Sequence, residues 1–387
     1  MDPRRRKAAR RAFSGADRWS RVRIALLGTR GMPAHYGGFE TFAEELSVRL
    51  VARGHEVIVY CREPFPDSFY RGVRLQYLPT IRHKYFDTIA HTLISTIHLV
   101  WRRARGLRVD AALYCNGANA IFTMVPRVFG IPTALNVDGL ERKRKKWNRL
   151  AKAWYLVSEW LATFCPTVTI TDARSIQHYY QERYRKESVF IPYGAEVGRL
   201  QSRSVLEKFG LEPGRYFLYV SRMELENHPL EVREAFETID TPLKLVLVGD
   251  APYARDYVRR VRDTRDTRVL IPGAIYGLGY HELGSHCFAY IHATEVGGTH
   301  PALIEAMGRG AIVLYRNTPE NAEVAGGAGI PFEPAELAAK IRLALEMSES
   351  EREELGRKAM ERVRDRYSWE AVAGEYERLL ARLSRAS

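Results

Sequence analysis

Hydrophobic residues recur along this chain in short solid runs, separated by longer stretches with a three-to-four-residue rhythm. The runs at 22–28, 55–61, 73–78, 111–115, 133–137, 167–171 and 188–192 predict buried strands. A strand covered on both faces reads as a near-continuous apolar run rather than an alternating one. Between them, 39–54, 88–105, 145–164 and 173–184 carry apolar residues at helical spacing. After a polar, glycine-broken stretch at 195–215 the alternation restarts. Strands are expected at 216–221, 243–249, 268–273, 287–293, 311–315 and 328–332, with helices near 229–239, 254–262 and 301–308. Long helical patterns at 334–347, 351–366 and 369–385 close the chain. Strands alternating with helices predict an α/β protein of two doubly wound parallel sheets. Ligands of such sheets bind beyond the carboxyl ends of the strands.

Composition agrees with two domains. The chain has 387 residues, 46% of them apolar. Cys61, Cys115, Cys165 and Cys287 are widely spaced, form no CxxC pair, and are expected to be reduced thiols rather than zinc ligands. The net charge is +13, and residues 1–23 hold nine basic and two acidic residues, so +7 of it lies there. That segment has no apolar core of a secretory signal. It is expected to be a disordered basic tail, 1–21, that meets anionic surfaces. No apolar run reaches the roughly 18 residues a membrane-spanning helix requires.

Three segments carry candidate chemistry. The first strand ends in GTRGMPAHYGGFETFAEEL, 28–46, with glycines between a strand and a helix. Such a turn lets backbone approach a ligand, and the helix start near Phe39 favours a phosphate. It also fits an ordinary glycine-rich connection, and its spacing is not the dinucleotide GxGxxG. Arg222 stands just past the strand 216–221, where a guanidinium suits a diphosphate. The third segment is ATEVGGTHPALIEAMGRG, 293–310. Gly297 and Gly298 leave space, and the amides of Thr299 and His300 precede a helix with Pro301 in its first turn, the form of an anion cradle. Glu305 lies on a largely apolar helix and can accept hydrogen bonds from a vicinal diol such as a ribose, or it is a surface glutamate.

Together GTRGMPAHYGGFETFAEEL, NVDGLERKRKKW, SRMELENHP, EVGGTHPALIEAMGRG and YSWEAVAGEY resemble the GT-B glycosyltransferases, in particular the retaining glycosyltransferase family 4 and its bacterial rhamnosyltransferase-like branch. The resemblance implies residues 22–195 as an acceptor-side domain, 196–368 as a nucleotide-sugar domain, and 369–387 as a helix packing back on the first. It implies Arg222 as the catalytic holder of the donor diphosphate and Glu305 as the ribose ligand. Gly37 and Gly38 face the donor phosphate, and Asn227, Gly298, Thr299 and His300 complete the donor site. The family commonly has a lysine where Asn227 stands and a glutamate where Gly297 stands; the latter contacts donor-sugar hydroxyls. His228, His300 or another basic residue is therefore expected to supplement Arg222. The implied reaction retains anomeric configuration, with front-face attack, no protein nucleophile and the leaving phosphate helping to remove the acceptor proton. No strand is followed by a metal-binding Asp-x-Asp, so no cofactor or obligatory metal is expected.

Acceptor contacts are expected on the first domain: Asp138, also a catalytic candidate, then Asp87, His91 and Asn119, with Asn116 beside it. Asp138 equally fits a turn cap, and His91 a structural histidine. The stretch 142–161 is basic, then aromatic and apolar at helical spacing, which suits an anionic interface or a core helix. The expected partners are a nucleoside diphosphate sugar, with dTDP-rhamnose ahead of hexose donors because Gly297 offers only backbone and space, and a saccharide or lipid-linked saccharide. The expected setting is cell-surface polysaccharide synthesis in the cytoplasm at the inner face of the membrane. Two other classes remain: a sugar-nucleotide epimerase of the same architecture, told apart by turnover without an acceptor, and a non-catalytic nucleic-acid binder. The charge concentrated in the tail and the lack of a nucleic-acid motif speak against the binder.

Overall fold

In the computed structural model of the chain, residues 21–34, 37–81, 86–145 and 147–385 are described. The basic tail lies outside them but for Arg21. The chain forms two sheets. The first has eight strands: β1 (Arg23–Leu27), β2 (Glu56–Cys61), β3 (Phe69–Tyr70), β4 (Val73–Tyr77), β5 (Ala111–Cys115), β6 (Thr133–Asn136), β7 (Val168–Thr171) and β8 (Val189–Phe190). Their order is β3-β4-β2-β1-β5-β6-β7-β8, parallel except for the β3–β4 hairpin. The second has six parallel strands: β9 (Tyr216–Val220), β10 (Lys244–Val248), β11 (Val269–Gly273), β12 (Ala289–His292), β13 (Ile312–Arg316) and β14 (Ile330–Phe332), in the order β11-β10-β9-β12-β13-β14. In each sheet the winding reverses beside the first strand, between β1 and β5 and between β9 and β12. Those are the crevices where doubly wound sheets take ligands.

The first domain carries α1 (Gly38–Ala52), α2 (Asp87–Ala104), α3 (Met124–Val128), α4 (Arg149–Leu161) and α5 (Arg174–Tyr184). The second carries α6 (Ser204–Lys208), α7 (Pro229–Glu237), α8 (Arg255–Arg262), α9 (Gly277–His286), α10 (Pro301–Gly308), α11 (Pro319–Ala325), α12 (Leu337–Glu346) and α13 (Glu349–Arg366), and α14 (Trp369–Arg385) ends the chain. Short α3, α6 and α11 and glycine-broken α9 lack a strong sequence period. The helix expected from 145 starts only at Arg149, because the Asn148 side chain caps it by accepting from the Ala151 amide at 2.9 Å.

Helix α14 returns to the first domain, as the family resemblance implies. Arg53 pairs with Glu377 at 2.7 Å, and Asn136 Nδ2 donates to the Tyr376 hydroxyl at 2.9 Å. Phe42 of α1 packs against Tyr376 and Tyr193, with ring centroids 5.1 and 5.6 Å away. One apolar cluster thus runs from Leu26 and Phe42 through Trp369 to Met307 and Val363, across the junction of the domains. Each such buried side chain contributes about 1.5–3 kcal/mol, so the mutual placement of the two sheets is part of the core.

Candidate active site

The carboxyl ends of both sheets open onto one cleft of about 960 Å³. Of the residues singled out in the sequence, it brings together Gly37, Gly38, Asp87, Asn116, Asp138, Arg222, Asn227, Gly298, Thr299, His300 and Glu305. His91 and Asn119 do not line it. His91 is fully buried, and burial, reinforced by Arg62, holds its imidazole down to about 4. Asn119 is also buried, and its Nδ2 donates to the Cys115 carbonyl at 2.7 Å. Neither side chain reaches the cleft. Asn119 follows the strand 111–115 and His91 stands four residues after Asp87, but both side chains are buried away from the cleft.

The walls are helix starts and strand ends. A Cβ on Gly38 would come within 3.2 Å of Pro301 Cγ, so the amino ends of α1 and α10 oppose each other across the cleft. Both present the positive end of a helix dipole to the same space. Arg222 follows β9 and pairs loosely with Glu224, 3.5 Å away. Its backbone is fixed by Gly249 after β10. Gly249 has φ +149°, and a Cβ there would lie 1.8 Å from the Ser221 carbonyl oxygen. Only glycine lets the strand end pass so close. The Asn227 side chain turns back and donates to the Arg222 carbonyl at 2.7 Å, bracing the loop. His228 does not line the cleft; it lies between Glu231 and Glu295, at 2.7 and 2.8 Å.

Glu305 has a partner the sequence could not reveal. The Tyr280 hydroxyl of α9 donates to Glu305 Oε2 at 2.5 Å. Burial pushes the carboxyl up to about 7, although Tyr280 and Arg309 pull it down. On the same wall Asn321 spends its amide protons on the Thr294 and Arg316 carbonyls, 3.0 Å each, so its oxygen accepts from His300 Nδ1 at 2.7 Å. Burial keeps the His300 ring below its ordinary pKa, so it is neutral with its proton on Nδ1.

The GGT cradle differs from expectation. The Thr299 amide is taken by the first domain: it donates to Asp172 Oδ2 at 2.9 Å, and the Thr299 hydroxyl donates to the Asp172 carbonyl. Close by, a Cβ on Gly139 would stand 2.4 Å from the Gly297 carbonyl carbon, so the two loops touch backbone to backbone. A Cβ on Gly297 would stand 2.2 Å from His300 Nε2. The space a glutamate would need at 297 is filled by the imidazole and the other domain.

The first-domain wall holds Asp138 in a left-handed turn, φ 59°, after β6. Burial, then Glu141, raises its carboxyl above the ordinary range, while Arg144 and Arg222 oppose the rise. Arg144 Nε donates to Glu141 Oε1 at 2.5 Å, and Trp147 donates to Glu141 Oε2 at 3.1 Å. Asp87 is held by Arg62 at 2.7 Å and Thr80 at 3.0 Å. Sequence reasoning missed Arg144, Glu141, Asp172 and Tyr280 as site residues. Asp172 follows β7, and its strand-end position is a usable signal; Arg144 is indistinguishable by composition within RKRKK. Among the described residues, no group of three or more His, Cys, Asp or Glu is placed to hold a metal ion.

Residues 36–199 match the family Glycosyltransferase Family 4, and residues 230–378 match the family Glycosyl transferase-like. No curated protein matches the sequence. Solved structures do match the fold, at low identity. Sucrose-phosphate synthase from Thermosynechococcus elongatus superposes with a TM-score of 0.78 at 20% identity, over 95% of this chain and 100% of that one. Anabaena HepE in complex with UDP-glucose gives 0.74 at 15%, over 93% and 99%. The UDP-forming α,α-trehalose-phosphate synthase from Burkholderia vietnamiensis gives 0.68 at 13%, over 93% and 99%. The fold is therefore GT-B.

Proposed function

From a chain built of a glycosyltransferase family 4 domain and a glycosyl transferase-like domain in the GT-B arrangement, we propose an enzyme that moves a sugar from a nucleoside diphosphate sugar to a saccharide hydroxyl. The observation that carries this reading is the grouping of Arg222 and Glu305 on one wall of the cleft, facing the amino end of α1. Arg222 and the dipoles of α1 and α10 meet the negative charge that develops on the departing diphosphate, where preorganised electrostatics act most strongly. Glu305 accepts from the ribose hydroxyls. The neighbours whose structures contain UDP or UDP-glucose support a nucleotide donor.

In the retaining course, the bond from the anomeric carbon to the diphosphate oxygen breaks, and the bond to the acceptor oxygen forms on the same face. The acceptor proton passes to a diphosphate oxygen. Asp138, on the first-domain wall within the field of Arg222, orients the acceptor hydroxyl. No residue placed by this reading needs a metal.

The donor sugar is proposed to be rhamnose. No carboxylate stands at 297, and the His300 ring edge lies where one would begin. A 6-deoxy sugar has fewer hydroxyls to satisfy there. The acceptor is proposed to be a lipid-linked saccharide in cell-surface polysaccharide synthesis, met at the inner face of the membrane. Among the described residues no helix is long and apolar enough to cross a membrane, and the contact proposed is peripheral. The first domain offers a surface for it: neighbouring helices α2, α3 and α4 expose Ile97, Trp101, Val128, Leu150 and Trp160.

Transfer assays with dTDP-rhamnose, UDP-glucose, UDP-galactose and GDP-mannose on a lipid-linked monosaccharide test all parts together. Turnover of one donor only when acceptor is present supports the transferase. Acceptor-independent turnover would replace it with an epimerase. A hexose donor at least tenfold better in kcat/KM, about 1.4 kcal/mol of transition-state preference, would remove rhamnose and keep the class. Arg222→Ala should weaken donor binding by about 1.5–3 kcal/mol, the loss of one charge-assisted contact.

A further inference from the structure

Arg222 by itself leaves a diphosphate undercompensated, and the residues nearest it in sequence do not help. Asn227 is spent on the Arg222 carbonyl, and His228 is engaged by two carboxylates outside the cleft. The other domain supplies what they do not. Arg144 follows β6, its side chain only 10% exposed, and it lines the cleft opposite Arg222. Its Nε is bound to Glu141, but among the described residues no acceptor meets its two Nη groups. Its charge acts on Arg222, His300 and Asp138 alike, and all four residues line the one cleft.

We infer that Arg144 is the second cation of the donor site and holds the diphosphate from the first domain. The inference rests on the nucleoside diphosphate reading above. Two guanidiniums facing each other in a half-buried cleft repel, and an anion with several oxygens between them removes the repulsion. The planar fork, with Nε anchored on Glu141, presents both Nη groups in a fixed direction, the geometry phosphate oxygens accept. Because Arg222 belongs to the second domain and Arg144 to the first, the leaving group ties the two halves together. The site that stabilises it is complete only when they are apposed.

The test is calorimetric titration of the full-length chain with UDP, dTDP and GDP, on wild type, Arg144→Gln and Glu141→Gln, with thermal midpoints recorded for each. Arg144→Gln should weaken the bound diphosphate at least tenfold, about 1.4 kcal/mol. Glu141→Gln should not weaken it, and should tighten it, because the change removes a carboxylate near the phosphates and keeps the guanidinium. If Arg144 served only to pair with Glu141 and shape the loop, both variants would lose affinity together. That result, or an Arg144→Gln affinity within about twofold of wild type, less than half a kcal/mol, overturns the inference while the donor reading stands. Should Arg144→Gln fail to fold, the Glu141→Gln arm decides: lost affinity overturns the inference and retained or tighter binding upholds it. A wild-type chain that binds none of the three diphosphates overturns the donor reading itself, and this inference with it.

Discussion

Asp172, at the carboxyl end of β7, accepts the backbone N–H of Thr299 from the opposite domain at 2.9 Å. The contact is buried, and Ser175 and Glu320 extend the seam with a hydrogen bond of 3.0 Å. Asp172→Ala leaves the Thr299 amide unpaired and should cost about 1–3 kcal/mol in urea unfolding. Asp172→Asn keeps an acceptor oxygen and should retain most of that stability. Equal losses in the two variants would assign the seam to charge rather than to the hydrogen bond.

Glu305 makes stability and binding respond to pH in opposite directions. Its carboxyl titrates near 7 in the folded chain against an ordinary 4.5. The native state therefore keeps a proton that the unfolded chain has released. The group's stabilisation is complete below about 4.5 and is lost as pH rises through about 7. Donor affinity should run the other way, because only the ionised carboxylate accepts from both ribose hydroxyls. Glu305→Gln should flatten both slopes. Wild-type donor affinity that is constant across this range, measured by calorimetry, would count against the ribose role.

Gly139 sets how closely the domains approach. A Cβ there meets the Gly297 backbone at 2.4 Å, and backbone cannot swing away as a side-chain end can. Gly139→Ala should cost about 1–3 kcal/mol as an overpacked contact, or open the cleft. Thermal unfolding and small-angle scattering distinguish these outcomes. Gly297→Glu, which restores the residue common in the resembling family, should not create a hexose site, since the His300 ring blocks its path.

Vesicle binding should depend on the exposed helical face. Leu150 is 82% exposed, Val128 78% and Trp160 54%. Replacing all three with serine should weaken binding to anionic vesicles and leave transfer to a soluble acceptor analogue intact. Deleting residues 2–20 should lower the same binding at low salt, by about 1 kcal/mol per basic residue near the surface. Vesicle affinity unchanged by both alterations would place the enzyme away from membranes.

The order of strands and helices was legible in the chain because each long element carries its own period. Solid apolar runs such as 243–249 and the rhythm of 369–385 report burial and phase locally, residue by residue. Arg222 and Glu305 were legible as candidates for a related reason: a strand end and a carboxylate on a largely apolar helix are local facts. What lies opposite them was not. Tyr280 meets Glu305 from another helix, Asp172 meets Thr299 from another domain, and Arg144 faces Arg222 from another sheet. No period links such positions. Their meeting depends on how two separately wound sheets dock, and the apolar cluster that spans the junction runs from Phe42 and Tyr193 through Trp369 to Met307 and Val363. His91 shows the converse. Its spacing from Asp87 allowed one face with it, yet Asp87 lines the cleft while the imidazole is buried among first-domain groups. The sequence by itself determined two α/β units and the wall that carries Arg222 and Glu305. The tertiary structure decided which first-domain groups complete that wall, because proximity across a cleft is a property of docking rather than of local pattern.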